Sequence, residues 1–302
     1  MKATLDQPRP IGCEYEVYLP RLGATSNAQV QKTLSDILTA NGLPSVSREY
    51  CHAPIPAGID FAVEYDSSIR GTFRFRDVAY VSVEVKTRIL RDYAEWERLV
   101  PKALAILQEM GARVNQSCGH HLHIGVPEIA DDPRRIRSIY NLFWRFEPTV
   151  FGLVSPSRRN CRYASAMPAG PQRLAGCRTR AAFQRALAGW ERYHGLNLTH
   201  LFNGSPRIEL RYHQGTINAE KARHWLRFCL QMVEHAVRRN CRNAAQLANS
   251  RESLEKMLIA CGYKPNNGIY RQVCPELRET GKYLLGRWKH FNGKIALKRA
   301  KG

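Results

Sequence analysis

Long hydrophobic runs and paired cysteines are missing from this sequence, and each absence excludes a class of protein. No apolar run approaches the roughly 20 residues that a membrane-spanning helix needs, and the opening MKATLDQPRP lacks the hydrophobic stretch of a signal peptide. None of the nine cysteines belongs to a CxxC pair, which argues against a disulfide framework or a zinc ribbon. We therefore expect a cytoplasmic protein with no membrane contact, whose cysteines are mostly buried thiols.

Acidic residues are scarce relative to basic ones. The 302 residues include 46 Lys and Arg against 26 Asp and Glu, which gives a net charge of +20. Much of the excess lies in 134–192, with twelve arginines and two glutamates, and in 251–302, with twelve basic and four acidic residues. Such segments are either solvated surfaces or binding surfaces for a polyanion such as nucleic acid or an acidic peptide, and composition alone does not separate the two.

Helix-capping residues predict six helices along the chain. In each case a Ser, Thr, Asp or Asn precedes a segment with helical character, and the third helix is predicted to run through Trp144. The predicted starts are Ser26, Asp92 with Glu95, Asp132 with Pro133, Thr179, Asn218 and Ser250. Because no internal repeat is visible, we predict a main domain over 1–245 and a basic helical extension over 246–302 that packs on it or trails from it.

Five segments between these helices alternate between apolar and ionic residues, which predicts strands with one apolar face and one ionic face. In the second segment, for example, Tyr65 falls on the apolar side. The alternative is that the ionic side is simply the face of a sheet in contact with solvent, but such faces usually carry Thr, Ser, Lys and Gln. The ionic faces here carry Glu14 and Glu16; Glu64 and Asp66; Glu84 and Lys86; His121 and His123; and Arg207, Glu209 and Arg211.

Carboxylates on one face repel each other unless a cation lies among them. Mg²⁺ is the natural cation, since it prefers carboxylate oxygens, water and phosphates, while a histidine suits zinc, iron or manganese better. Arginines beside such a cluster bind phosphate oxygens. These residue types together indicate a nucleotide site, although the sequence holds no GxxxxGK[ST] loop, no GxGxxG after a strand, no HExxH and no activated nucleophile.

Taken in order, the motifs resemble the amidoligase family of the carboxylate-amine ligase superfamily, relatives of glutamine synthetase and glutamate-cysteine ligase. The resemblance covers roughly residues 11 to 228. Its motifs are Gly12-Cys13-Glu14-Tyr15-Glu16, Asp66-Ser67-Ser68-Ile69, Val83-Glu84-Val85, Asn115 with Ser117 to His123, Ser155-Pro156-Ser157-Arg158, Asn197, and Arg207-Ile208-Glu209-Leu210-Arg211 with Tyr212 to Thr216.

The resemblance implies an α+β fold, with a curved antiparallel sheet of the glutamine-synthetase type and helices packed on its convex face. It implies that 1–245 is the catalytic domain, which binds ATP with two or more Mg²⁺ ions, Mn²⁺ being an alternative. The reaction would join a carboxylate to an amine through an acyl phosphate. The substrates stay open among small molecules, peptides and modified nucleobases, as do nucleic acid as a partner and a homo-oligomeric state.

The resemblance also implies a role for each matching residue. The metal ligands would be Glu14, Glu16, Glu84, His121 and Glu209. Arg207 and Arg211 would clamp phosphate and acyl phosphate, while Asp66 and Ser68 would lie in the substrate-side loop, where an acid helps to deprotonate the ammonium. His123, Arg158 and Arg159 would bind the nucleotide, with support of His121 as the alternative role for His123.

Two other classes of function fit part of the sequence. A cupin-like metalloenzyme would use His121 and His123 with Glu128, but the pattern wants a glycine where Arg135 stands, and six helices fit poorly with a small β-barrel. A non-catalytic nucleic-acid-binding protein would explain the net charge. It would not explain why Glu14, Glu16 and Glu209 share one kind of strand face.

Overall fold

The computed structural model describes the chain except for Leu22, Thr25, His52, Asn160, Asn203 and the segments 66–68, 70–72 and 300–302. The strands are β1 (Lys2–Ala3), β2 (Ile11–Pro20), β3 (Ser45–Ser47), β4 (Phe61–Glu64), β5 (Phe73–Phe75), β6 (Val78–Thr87), β7 (Gly119–Gly125), β8 (Leu196–Asn197), β9 (Arg207–Gln214) and β10 (Gln272–Val273). The helices are α1 (Asn27–Ala40), α2 (Tyr93–Glu109), α3 (Glu128–Asp131), α4 (Arg134–Gly152), α5 (Pro156–Arg159), α6 (Gln172–Ala175), α7 (Arg180–Ala186), α8 (Ala219–Arg238), α9 (Arg251–Ala260) and α10 (Pro275–Arg299).

The predicted helix starts are confirmed in position, but Asp132 is not the N-cap of α4: that residue is Pro133, which has no capping side chain, and Asp132 Oδ1 accepts a hydrogen bond from Arg134 N at 3.1 Å. Ser26, Asp92, Thr179 and Ser250 are N-caps whose side chains accept a backbone hydrogen bond, and Asn218 accepts one from Lys221 N at 2.8 Å just before α8. These bonds satisfy amide groups that the helix cannot pair itself. The third predicted helix, α4, runs to Gly152 rather than ending at Trp144. It continues because apolar side chains beyond Trp144, among them Phe146 and Val150, are buried.

Contacts within the chain divide it into two compact units. The first unit comprises Pro8–His123 and Gln214–Arg223, and the second comprises Met1–Gln7, Ile124–His213 and His224–Gly302. The second unit includes the segment 246–302, which holds α9 and α10. The domain boundary at residue 245 stays a prediction.

The first unit is built on a sheet in which the strand order is β3, β4, β6, β2, β7, with β5 also pairing with β6. The β2–β6 and β4–β6 pairs are antiparallel, and β3–β4 is parallel. On the predicted apolar faces, Tyr15, Val17, Val83 and Val85 are buried. The assignment of Tyr65 to the apolar side was wrong, because β4 ends at Glu64 and the side chain of Tyr65 is 43% exposed.

The second unit combines helices with the antiparallel pair β8–β9 and the parallel pair β1–β10. Helices α4, α9 and α10 pack against one another, and His224 Nδ1 of α8 lies 3.0 Å from Thr280 Oγ1 of α10. The nine cysteines are free thiols and six of them are buried, which confirms the expectation from their spacing. In the part of the chain that the structure describes, no helix is both long and apolar enough to cross a bilayer.

The observed fold is therefore a mixed α/β structure with mostly antiparallel strand pairs, as predicted at that level. The curvature of the sheet, its likeness to glutamine synthetase and the packing of helices on a convex face stay predictions.

One buried acid gives the second unit a pH-dependent stability. The carboxylate of Glu147 accepts hydrogen bonds from Met167 N (3.1 Å) and the Tyr212 hydroxyl (2.9 Å). Burial nevertheless dominates and raises the pKa of Glu147 from 4.5 to about 7. The folded protein thus holds this proton to a higher pH than the unfolded chain, so its contribution to stability is fully present below pH 4.5 and is lost as the pH rises to about 7.

We therefore expect the free energy of unfolding of the wild type, relative to Glu147→Gln, to fall by about 3 kcal/mol between pH 4.5 and 7, since one pKa unit corresponds to about 1.4 kcal/mol. Urea unfolding followed by circular dichroism across this range measures it. Glu109→Gln, on an exposed position of α2, controls for the loss of one acidic side chain. If the difference in the free energy of unfolding between the wild type and Glu147→Gln did not change with pH, Glu147 would not be the acid with the raised pKa.

Candidate active site

Three carboxylates stand side by side across the sheet of the first unit. Glu16 on β2 is opposite Glu84 on β6, and Glu84 is opposite Glu64 on β4. Their exposed fractions are 4%, 3% and 0%, so this face is not the simple solvated face weighed above. Like charges directly opposite each other destabilise a sheet, and burial strengthens the repulsion. The row, which we call the carboxylate row, therefore requires cations or hydrogen-bond donors.

Two cationic side chains reach the Glu64 end of the carboxylate row. Arg48 Nε lies 2.7 Å from Glu64 Oε1, and Lys86 Nζ lies 2.9 Å from Glu64 Oε2 and 2.8 Å from Glu84 Oε2. Burial of Lys86 disfavours its charge, but the carboxylates of Glu84, Glu14 and Glu64 outweigh this and hold its pKa above the usual value. The ammonium group is thus charged.

Two imidazoles bind the fourth carboxylate, Glu14. His121 Nδ1 lies 3.1 Å from Glu14 Oε2, and His123 Nε2 lies 3.2 Å from Glu14 Oε1. Burial alone would raise the pKa of Glu14, but the charge of His123 and the hydrogen bonds from both rings outweigh it and hold the pKa well below the usual range. Glu14 is therefore an anion at neutral pH.

His121 lies between Glu14 and Glu16. Its Nε2 is 3.6 Å from Glu16 Oε1, while Glu16 Oε2 accepts a hydrogen bond of 2.5 Å from Gly119 N. A side chain at Gly119 would place its Cβ 2.4 Å from His121 Nε2, which leaves no room for the ring where it stands. The glycine at 119 therefore makes the close approach of His121 to the carboxylates possible.

Three of these residues form a set of metal-ligand type. Glu14, Glu84 and His121 each offer one ligand atom, and the three atoms lie within 4.8 Å of one another. Two carboxylate oxygens suit Mg²⁺, and the imidazole nitrogen makes the set equally suitable for Mn²⁺. The donor chemistry therefore fits a divalent cation, which would also relieve the repulsion among the carboxylates.

In the second unit, hydrogen bonds hold the side chain of Glu209 on β9. Glu209 Oε2 accepts from Asn197 Nδ2 at 2.6 Å, across the β8–β9 register, and Oε1 is paired with Arg211 Nη1. Arg211 Nε donates to Tyr163 O at 3.1 Å, which further fixes the guanidinium group. Arg207 Nη2 lies 3.3 Å from His200 Nδ1 and is half-buried.

Two further arginines of the second unit contact the backbone. Arg158 is 1% exposed, and its Nη2 donates to Arg211 O at 2.7 Å. Arg159 Nε donates to Phe151 O at 3.1 Å and its Nη2 to Asn292 Oδ1 at 3.3 Å, while burial lowers its pKa. These contacts hold β9 and the end of α4. The nucleotide-binding roles of Arg158 and Arg159 stay predictions.

The predicted site residues are distributed over both units, and two of them lie outside the described part of the chain. The first unit brings together Glu14, Glu16, Glu84, His121 and His123, and the second unit holds Glu209, Arg207, Arg211, Arg158 and Arg159. Asp66 and Ser68 lie outside the described residues. Glu128, required by the cupin-like alternative, lies on α3 in the second unit.

The sequence interpretation missed four residues that contact the predicted ligands or their neighbours. Glu64 and Lys86 carried a signal, since both lie on the ionic faces of alternating strands, and Asn197 belonged to a matching motif. Arg48 carried none, because it follows β3 in a segment without ionic alternation.

Comparisons with known proteins bear on these observations. Residues 7–233 match the family model described as "Putative amidoligase enzyme". Among solved structures, the chain is similar to a chain of the "Crystal structure of the complex between Prokaryotic Ubiquitin-like Protein Pup and its Ligase PafA", with 10% sequence identity and a TM-score of 0.38. The similarity covers 95% of this chain but 64% of that one, less than two thirds of its length. A search of curated proteins found no match.

We expect Glu14→Gln to weaken Mn²⁺ binding by about tenfold or more, because loss of an anionic ligand costs on the order of 1.4 kcal/mol or more. Equilibrium dialysis with Mn²⁺ measures the affinity. Glu109→Gln, at an exposed position of the same unit, should bind Mn²⁺ like the wild type. Equal affinity in Glu14→Gln and wild type would exclude Glu14 as a ligand.

Proposed function

The chain belongs to the amidoligase family, whose model matches residues 7–233, and from this premise we propose that it joins a carboxylate to an amine with ATP as the phosphate donor. The observation that carries the proposal is the set Glu14, Glu84 and His121, in which two carboxylate oxygens and an imidazole nitrogen lie within 4.8 Å of one another. Such a set can hold a divalent cation, and ATP-dependent ligation supplies a reason to have one.

The proposed reaction has two steps. A carboxylate oxygen of the substrate attacks the γ-phosphorus of ATP, which releases ADP and forms an acyl phosphate. The amine then attacks the acyl carbon, phosphate leaves with the electron pair of the broken C–O bond, and the amine nitrogen loses a proton. No protein nucleophile is required, because phosphate replaces oxide as the leaving group. This agrees with a sequence that shows no activated Ser, Cys or Lys.

In this proposal Glu14, Glu84 and His121 hold the cation, with Glu16 beside them. When bound, the divalent ion neutralises negative charge on the phosphates. His121 and His123 keep Glu14 anionic through hydrogen bonds at 3.1 and 3.2 Å. His123 is 17% exposed at its side chain, which leaves it accessible for the predicted contact with nucleotide.

The arginines of β9 would act on the phosphate groups. Arg211 is oriented by Glu209 and by Tyr163 O, so its guanidinium group is held in a fixed direction, which favours binding of a phosphate oxygen. We propose that Arg207 acts with it and that Glu209 serves the same reaction as a metal ligand. Asp66 and Ser68 would act on the amine, as the family resemblance implies.

The finer parts of the proposal rest on the family resemblance. They are a glutamine-synthetase-like curvature of the sheet, use of two or more Mg²⁺ ions, and a small-molecule, peptide or modified-nucleobase acceptor. The net charge of +20 favours an acidic or phosphorylated substrate over a basic one.

Calorimetric titration of Mg·ATP into the purified protein tests the proposal. We expect magnesium-dependent binding in the wild type and at least about tenfold weaker binding in Glu209→Gln, because Arg211 loses its anionic partner and the site loses a carboxylate. Glu191→Gln, at an exposed position of the same unit, is the matched control. EDTA should abolish the binding in all three proteins.

The same proteins should then be assayed for ADP release with pools of carboxylates and amines. Release that requires both pools, and that is lost in Glu209→Gln, identifies a ligase. Failure to bind Mg·ATP both without and with these pools, in a folded protein, would contradict the proposal.

A further inference from the structure

Lys86 occupies a position in the sheet from which a single ammonium group reaches two carboxylates. It lies on β6, opposite Glu14 of β2 and Ala62 of β4. Because Glu84 is two residues away on the same strand, both side chains project from the same face. Nζ lies 2.8 Å from Glu84 Oε2 and 2.9 Å from Glu64 Oε2. The ammonium group therefore lies between the second and third members of the carboxylate row.

The charges around this point explain why a cation is needed there. Glu64 is fully buried and Glu84 is 3% exposed, so their mutual repulsion is poorly screened. Arg48 Nε also contacts Glu64, at 2.7 Å, but among the described contacts Lys86 is the side chain that joins the two carboxylates. Without Lys86, the gap between them would present two carboxylate oxygens to any small cation in solution.

The surroundings of Nζ favour an organic cation over a hydrated metal ion. The ring of Tyr50 lies over the ammonium group, with 4.4 Å between Nζ and the ring centroid. An aromatic face attracts an ammonium group by its quadrupole, but it offers no ligand atom. A divalent ion at this point would bind through the carboxylate oxygens of Glu64 and Glu84 and would gain nothing from the ring, so the ring favours Lys86 without closing the place to an ion once the ammonium group is removed.

We propose that Lys86 is a tethered counter-ion, which fills the place of a divalent ion between Glu64 and Glu84 and confines metal binding to the Glu14–Glu84–His121 side of the carboxylate row. The proposal rests on the metal role proposed above but not on the use of ATP. In this proposal Lys86 is a positioning residue, which sets the number of divalent ions that the site binds.

Equilibrium dialysis with Mn²⁺, in the absence of nucleotide, tests this assignment. Lys86→Met keeps the length of the side chain and removes its charge, and we expect it to bind one more Mn²⁺ per chain than the wild type. Lys86→Arg keeps the charge and should bind the wild-type number. In the double variant Glu64→Gln with Lys86→Met, the additional ion should be lost, because one of its two carboxylates has gone.

Thermal unfolding of the same variants separates a counter-ion from a merely structural ion pair. In EDTA, Lys86→Met should unfold at a lower temperature than the wild type. Addition of Mn²⁺ should raise the unfolding temperature of Lys86→Met by more than it raises that of the wild type. An unchanged ion count, or a deficit in unfolding temperature that Mn²⁺ does not reduce, would overturn the proposal. Should Lys86→Met fail to fold in EDTA, folding on addition of Mn²⁺ would support it, and failure in both conditions would overturn it.

These readouts stand apart from the proposed reaction. An additional Mn²⁺ in Lys86→Met would support the counter-ion even if Mg·ATP did not bind to the wild type. Conversely, ATP-dependent ligation with an unchanged ion count would leave the reaction intact and remove the special role of Lys86.

Discussion

Repulsion among buried carboxylates is the constraint around which the first unit is arranged. The pairing of β2, β6 and β4 places Glu16, Glu84 and Glu64 directly opposite one another, all nearly inaccessible to water. Each anion has a donor or cation at hand: Gly119 N for Glu16, Lys86 for Glu84 and Glu64. The sheet keeps its acidic face because these groups offset a repulsion that solvent cannot screen.

The sequence predicted those features that depend on residues close together in the chain. Alternation of apolar and ionic residues predicted β2, β6, β7 and β9, and side chains able to accept backbone hydrogen bonds predicted the helix starts. Alternation tells which face a residue occupies but not which residues of two strands stand opposite, so the row formed by Glu16, Glu84 and Glu64 could not be predicted. Register depends on long-range pairing. Tyr65 was misplaced because alternation does not reveal where a strand ends.

The environments of single side chains were harder to predict than the apolar and ionic faces of the strands. Arg158 belongs to a segment so rich in arginine that composition alone suggests solvent or phosphate contact, yet it is buried and bonded to the backbone of Arg211. Arg48 contacts Glu64 from the segment that follows β3, where no periodic signal exists. In both cases a tertiary hydrogen bond decides the environment, and the neighbours along the chain carry no information about it.

The order in which the carboxylate face forms has a kinetic consequence. Glu14 and His121 are 107 positions apart in the chain, and contacts of such separation form only after much of the loop-closure entropy has been lost. The carboxylate face is therefore completed near the end of folding rather than at its start. Any cation that binds the finished face acts mainly on the native state, so it slows unfolding while leaving the folding rate nearly unchanged.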